Sequence, residues 1–168
     1  VSALLANHSI PNVVWEPACG PGSIVRVLRD SGRIVYATDL VAYNSPYQDE
    51  AGWDFLSEKQ LPLGVEAIVT NPPFKLAHDF VRHALYLCPK VIMLLRLAFL
   101  EGQRRTDILD EGMLSRVYVF RNRLPMMHRA GRGITEAEHT LDTGSIAYAW
   151  FVWDASHIGP ATIHRISW

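Results

Sequence analysis

Four consecutive residues, Asn71-Pro72-Pro73-Phe74, combine an amide side chain, two positions without a backbone N–H and an aromatic ring. A residue before proline is kept out of the helical region, so Asn71 and Pro72 are both expected to be extended. The result is a stiff edge rich in acceptors. It can take two N–H bonds from one planar amine, through the Asn71 side-chain oxygen and the Pro72 carbonyl. The lone pair of an exocyclic amine is delocalised into its ring, and two acceptors draw the hydrogens out of plane and localise the pair for attack. Phe74 can stack on that ring. The bland alternative is a proline-terminated strand with Phe74 in the core.

A second cluster lies upstream, Glu16-Pro17-Ala18-Cys19-Gly20-Pro21-Gly22. Its small residues let a ligand approach the backbone, and the helix that follows exposes free N–H groups. It lacks the lysine of a G-x-x-x-x-G-K-[ST] loop, which argues against a nucleoside triphosphate. Asp39 follows about twenty residues later at the next strand end, from which a carboxylate can bind both hydroxyls of a ribose.

These residues need elements to hold them. Val13 to Glu16 reads as a buried strand, with a helix opening at Ser23 as N-cap and ending at Gly32. Arg33 to Thr38 reads as a second strand delivering Asp39, and Val65 to Thr70 as a strand leading into Asn71. Lys75 to Leu87 places Leu76, Ala77, Phe80, Val81, Ala84 and Leu85 on one helical face. Val91 to Leu95, Arg116 to Phe120, Ile146 to Trp153 and the edge segment Thr162 to Ile166 read as strands, and Glu101 to Glu111 as a helix. Between Asn44 and Leu63 only a short element around Trp53 to Glu58 is expected. Strands separated by helices imply a parallel α/β sheet, whose ligands lie beyond the carboxyl ends of the strands.

The chain of 168 residues, 49% hydrophobic with sixteen basic and seventeen acidic side chains, has the balance of a single domain spanning residues 1–168. Its longest apolar run, Val91 to Leu100, is broken by Arg96 and is shorter than the roughly 20 residues of a membrane helix. Two cysteines and no signal-like start fit a reduced, cytoplasmic protein. Net charge is −1, so polyanion binding would need a local patch. Ser115 to Ile134 supplies one, with Arg116, Arg121, Arg123, Arg129 and Arg132 and no acid. Thirteen of the sixteen basic residues are Arg, which suits bidentate contacts to phosphate and base edges. The stretch Asn122 to Ser145 lacks a clear period and is long for a plain connection, so it is expected to be a substrate-facing loop, against the plain reading of a solvated one.

With these motifs the sequence resembles the class I S-adenosylmethionine-dependent methyltransferases, and within them the amino-methyltransferases that carry NPPF or NPPY, closest to small phage- and prophage-associated adenine-N6 DNA methyltransferases. The resemblance runs from Val13 to about Arg96 and rests on EPACGPG, the acid Asp39 and NPPF in order. It implies a Rossmann-like α/β fold: a mostly parallel central sheet, helices on both faces and an antiparallel strand near the C-terminus. It also implies S-adenosylmethionine as cofactor, with Glu16, Ala18, Gly20 and Gly22 along its methionine end. Pro17 and Cys19 complete that loop; Asp39 with the adjoining Leu40 would serve the ribose side, and Asp54 with Phe55 the adenine. Asn71, Pro72, Pro73 and Phe74 would be catalytic, Asn71 also touching the cofactor. Phe74, Arg121, Arg123, Arg129 and Arg132 would meet a nucleic-acid substrate, DNA ahead of RNA.

The expected reaction is methyl transfer to an exocyclic amine, adenine N6 in DNA first. An RNA base or a protein glutamine amide is the alternative acceptor, and a catalytically idle cofactor- or nucleic-acid-binding module the alternative of another class. With twelve residues before Val13, little room is expected for a helix covering the cofactor. No target-recognition domain is expected after the last strand. No metal is expected: Asp79 and His83 read as a surface pair, and His128 and His139 lack cysteine partners. Trp150, Trp153 and Trp168 are expected to fill the sheet and its edge.

Overall fold

The computed structural model describes residues 1–111, 113–124 and 146–168. Its strands are β1 (Val13–Glu16), β2 (Ile34–Asp39), β3 (Glu50–Ala51), β4 (Ala67–Thr70), β5 (Lys90–Arg96), β6 (Leu114–Phe120), β7 (Tyr148–Asp154) and β8 (Thr162–Ile166). Helices α1 (Ser2–Leu5), α2 (Ser23–Asp30), α3 (Ala77–Leu87) and α4 (Thr106–Leu109) are joined by short 3-10 turns. The strands form one sheet in the order β3-β2-β1-β4-β5-β7-β6-β8. All neighbours run parallel except β7, which is antiparallel to both β5 and β6. The expected mostly parallel sheet with a reversed strand near the C-terminus is thus present.

The strand order explains where the site must lie. From β1 the chain winds outward through β2 to β3, then crosses back to place β4 on the other side of β1. The order therefore reverses between β1 and β4, and their carboxyl ends carry Glu16 and Thr70-Asn71. A crevice at such a switch point is the usual ligand position in an open α/β sheet.

Two apolar layers hold the sheet. Successive residues of a strand face opposite sides, and β7 shows it: Phe151 and Trp153 join Trp15, Phe55 and Phe80 under α3, while Trp150 and Val152 join Leu4, Val25 and Leu28 under α1 and α2. Because β7 lies between β5 and β6 and is covered on both faces, its residues Tyr148 to Trp153 are all buried. Fully burying a large apolar side chain contributes about 1.5–3 kcal/mol. The polar ends of the tryptophans are paired where the fold allows it: Trp15 Nε1 donates to Thr38 Oγ1 at 3.0 Å and Trp153 Nε1 to the Ile108 carbonyl at 2.6 Å.

Several boundaries differ from expectation. Gly22, at φ +92°, is the N-cap of α2, so Ser23 is its first helical residue and makes no side-chain cap. Residues 74–76 form a 3-10 turn before α3, with Pro73 as its N-cap at ψ 124°, and Leu76 is left exposed. The helix expected over Glu101 to Glu111 is a 3-10 turn, Gln103–Arg105, followed by the single turn α4. Asp79 pairs with His78 and Arg82, whereas the His83 ring packs edge-on against Phe55 at 4.9 Å, so the expected Asp79–His83 pair is replaced. Trp150 and Trp153 fill the sheet, but Trp168 is 58% exposed beyond the end of β8. Among the described residues no helix is long and apolar enough to cross a membrane.

Candidate active site

Glu16 ends β1 with its side chain fully buried and neither carboxylate oxygen hydrogen-bonded. Burial pushes its pKa up to about 8; the nearby Thr70 hydroxyl and Ala18 amide oppose the rise, and Asp39 adds to it. Burial of this kind favours the neutral carboxyl, and a cationic group beside it would favour the charged form. Thr70, also fully buried, has an unpartnered hydroxyl, as does the neighbouring Asn71 side-chain oxygen. Orphaned buried polar atoms are rare in folded proteins. Here Glu16, Thr70 and Asn71 bring four of them to the ends of β1 and β4.

The loop after β1 is pinned by the acid at the end of β2. Asp39 Oδ2 accepts the Gly20 N–H at 2.9 Å and its Oδ1 accepts the Val41 N–H at 2.9 Å. The Cys19 N–H donates to the Thr38 carbonyl at 3.0 Å, so the loop folds back over β2. The glycines have different duties. At Gly20, φ +53°, an added Cβ would meet nothing within 4 Å, so that side of the loop is open. At Gly22 a Cβ would lie 2.2 Å from the Tyr47 Cβ, so Tyr47 is the group that approaches the backbone there. The Ser45 hydroxyl donates to the Pro21 carbonyl at 2.8 Å and ties the same segment down. Pro17 and Cys19 are buried, Ala18 is half-buried, and burial with the neighbouring carboxyls pushes the Cys19 thiol up to about 12.

Beyond β2, Leu40 is exposed and the Trp53 N–H donates to the Asp39 carbonyl at 3.1 Å, which brings Trp53-Asp54 beside Asp39. Asp54 caps the following turn, accepting from the Leu56 N–H at 3.1 Å and the Ser57 hydroxyl at 2.9 Å. Phe55 is 2% exposed and its ring packs against Trp15 and Phe80 in the core. Only its backbone is therefore available to a ligand.

Pro72 is buried and Phe74 is 41% exposed, which removes the core reading of that ring. The Arg96 guanidinium lies over the Phe74 ring at 4.6 Å, and the Tyr148 ring approaches it at 5.7 Å. Arg121 and Arg123 are exposed just past β6, at the same edge of the sheet as Asn71. Arg129, Arg132, His128 and His139 lie outside the described residues.

The sequence reading had missed Thr70, Tyr47, Arg96 and Tyr148. Thr70 and Arg96 each end a strand whose next neighbour carries an expected site residue, and that position was the available signal. No signal marked Tyr47 or Tyr148, because their contacts depend on tertiary approach.

The residues fit an S-adenosylmethionine molecule on two observations: the unpartnered Glu16 carboxyl and the open space above Gly20. No protein-family model matches the sequence, and no curated protein does. Solved structures are similar in fold. The 23S rRNA methyltransferase ErmE shares 14% identity at a TM-score of 0.59, over 92% of this chain and 66% of that one. A Spodoptera frugiperda DNMT2 mutant shares 15% at 0.55, over 92% and 55%. A SAM-dependent O-methyltransferase from Thermotoga maritima shares 11% at 0.51, over 94% and 65%. The chain thus spans between about half and two thirds of the length of these proteins. With the strand order and the reversed β7, these similarities show that the chain has the Rossmann-like fold of the class I methyltransferases.

Proposed function

We propose that the protein transfers a methyl group from S-adenosylmethionine to an exocyclic amine, with adenine N6 of DNA as the first candidate acceptor. The observation that carries this reading is the Asn71 side-chain oxygen, buried and unpartnered at the end of β4 and followed by two prolines. A buried acceptor without a donor costs roughly 1–3 kcal/mol. An incoming N–H relieves that cost, and the prolines keep Asn71 and Pro72 out of the helical region, so that the Pro72 carbonyl would serve as the second acceptor.

Glu16, Gly20 and Asp39 would hold the cofactor, with Asp54 and the Phe55 backbone at its adenine. When bound, the cofactor supplies an already activated methyl group, so positioning and exclusion of water carry most of the remaining work. Asn71 and Pro72 hold the two amine hydrogens, Phe74 stacks on the ring, and the proton lost by the methylated nitrogen leaves to solvent. The amine is inaccessible inside a duplex, so the base must be flipped out or unpaired. The fold neighbour ErmE acts on 23S rRNA, and the exposed Arg121 and Arg123 add positive charge at this edge, which supports a nucleic-acid acceptor, DNA or RNA.

Labelled cofactor incubated with DNA, RNA and protein pools side by side tests the proposal. Label in N6-methyladenine of DNA is expected. Label confined to RNA or to protein glutamine would move the acceptor, and cofactor binding without transfer to any polymer would leave a binding module.

A further inference from the structure

Arg96 is the last residue of β5 and faces Tyr148 across the β5–β7 ladder. Its guanidinium carbon lies over the Phe74 ring at 4.6 Å from the centroid, a cation–π contact, while Tyr148, 6% exposed, approaches the same ring at 5.7 Å. Several cations elsewhere in the molecule are paired. Arg29 pairs with Asp49 at 2.7 Å, Arg82 lies 3.9 Å from both Asp79 and Asp107, and Lys90 pairs with Asp154 at 3.1 Å. Arg105 also covers a ring, that of Phe99, but spends its donors on the Phe99 and Glu101 carbonyls. Arg96 has no carboxylate or carbonyl partner among the described residues, and it is exposed.

That difference matters because stacking uses only the face of a guanidinium. Its five N–H donors lie in the guanidinium plane, and with no protein acceptor on them among the described residues they are free to make the fork that matches two oxygens of a phosphate. A leucine would pack on Phe74 as well if support were the whole task. We propose that Arg96 binds the backbone phosphate adjoining the nucleotide whose base Phe74 stacks, so that the pair admits a polynucleotide and disfavours an uncharged amide. The ring reads a planar base and the cation reads the charge that only a nucleic acid carries beside it. This rests on the amine-acceptor reading of Asn71.

The test measures binding of a short fluorescent oligodeoxyadenylate against salt for wild type, Arg96→Leu and Arg96→Lys, with cofactor affinity as the check that each is folded. Arg96→Leu should bind about tenfold more weakly and lose about 0.7 from the slope of log K against log salt, as one single-strand phosphate contact would. Arg96→Lys keeps the charge and should keep the slope. In turnover, Arg96→Leu should raise KM for the oligonucleotide and leave kcat nearly unchanged. An unchanged slope in Arg96→Leu overturns the proposal, and a fall in kcat alone assigns Arg96 to supporting Phe74. If the slope depends on Arg96 but wild type moves no label onto any exocyclic amine, the phosphate contact stands and the amine-transfer reading falls.

Discussion

Asn71 and Glu16 are both buried groups without partners, yet they make opposite demands on a ligand. Under the proposed function Asn71 offers an acceptor to the amine, so Asn71→Ala should leave cofactor affinity nearly intact while transfer drops by about two to three orders of magnitude, as when an active-site hydrogen-bonding group is removed elsewhere. Calorimetry paired with a transfer assay separates the two, and near-normal turnover would remove Asn71 from the chemistry. Glu16 offers a carboxyl whose charged form burial disfavours. Its pKa rises from an ordinary 4.5 to about 8 on folding, mainly through burial. Its contribution to stability is therefore complete below about 4.5 and is lost as pH rises through about 8. His8, held at about 4 by burial and by Lys90 and Arg116, acts in the other direction, its contribution fading as pH falls from 6.5 toward 4. A cationic cofactor reverses the preference of Glu16, so binding near neutral pH should release a proton. Calorimetry in two buffers of different ionisation enthalpy should detect that proton in wild type and not in Glu16→Gln; equal proton counts would show that Glu16 does not meet the charge.

At the scale of elements, the loop between β1 and α2 separates two roles that one motif merges in the sequence. Gly22→Ala forces a Cβ into Tyr47 at φ +92° and should destabilise the fold by about 2–4 kcal/mol, lowering Tm by roughly 5–15 °C. Gly20→Ala places its Cβ in open space at φ +53°, so it should cost only about 1–2 kcal/mol of stability while weakening cofactor binding. Thermal melts and cofactor titrations of both variants check this, and a Gly20→Ala protein with unchanged affinity would take the cofactor off that loop. The elements themselves were legible where pattern and punctuation agreed. The run Val13 to Glu16 ends at Pro17, and β1 has those bounds; β8 likewise matches Thr162 to Ile166. The helix expected from Glu101 failed because Gly102 sits at φ +103° and Arg105 turns back over Phe99 instead of extending the period. Asp39 and Asn71 could be placed from sequence because Asp39 ends a strand and Asn71 directly follows one. The Arg96–Phe74 contact could not, since it joins the ends of two different strands across space.

At the scale of the molecule, the near-zero net charge hides a division along the reactive edge. Asp39 ends β2 and Asp54 follows β3, with the buried Glu16 at the end of β1, whereas Arg96 ends β5 and Arg121 and Arg123 follow β6; between β5 and β6, Arg104 and Arg105 are accompanied by Glu101, Asp107, Asp110 and Glu111. A cationic donor and a polyanionic acceptor would each meet the favourable half. Replacing Arg121 and Arg123 together by Ser should reduce the salt slope of oligonucleotide binding by up to about 1.4–1.8, at 0.7–0.9 per lost contact, and leave cofactor affinity unchanged. An unaltered slope would make the segment a plain connection. The reversed β7 has a consequence of another kind. Because Val119 and Ala149 are ladder partners, the chain leaves β6 and re-enters β7 between adjacent strands, on the edge that carries Asn71. Whatever sequence occupies positions 121–147 is anchored at both ends by the sheet, and doubling the length of such a connection costs only about 0.6 kcal/mol in closure entropy. Under the proposed function that stretch is an exchangeable cassette, and replacing it should change which polymer is received while leaving cofactor affinity unaltered.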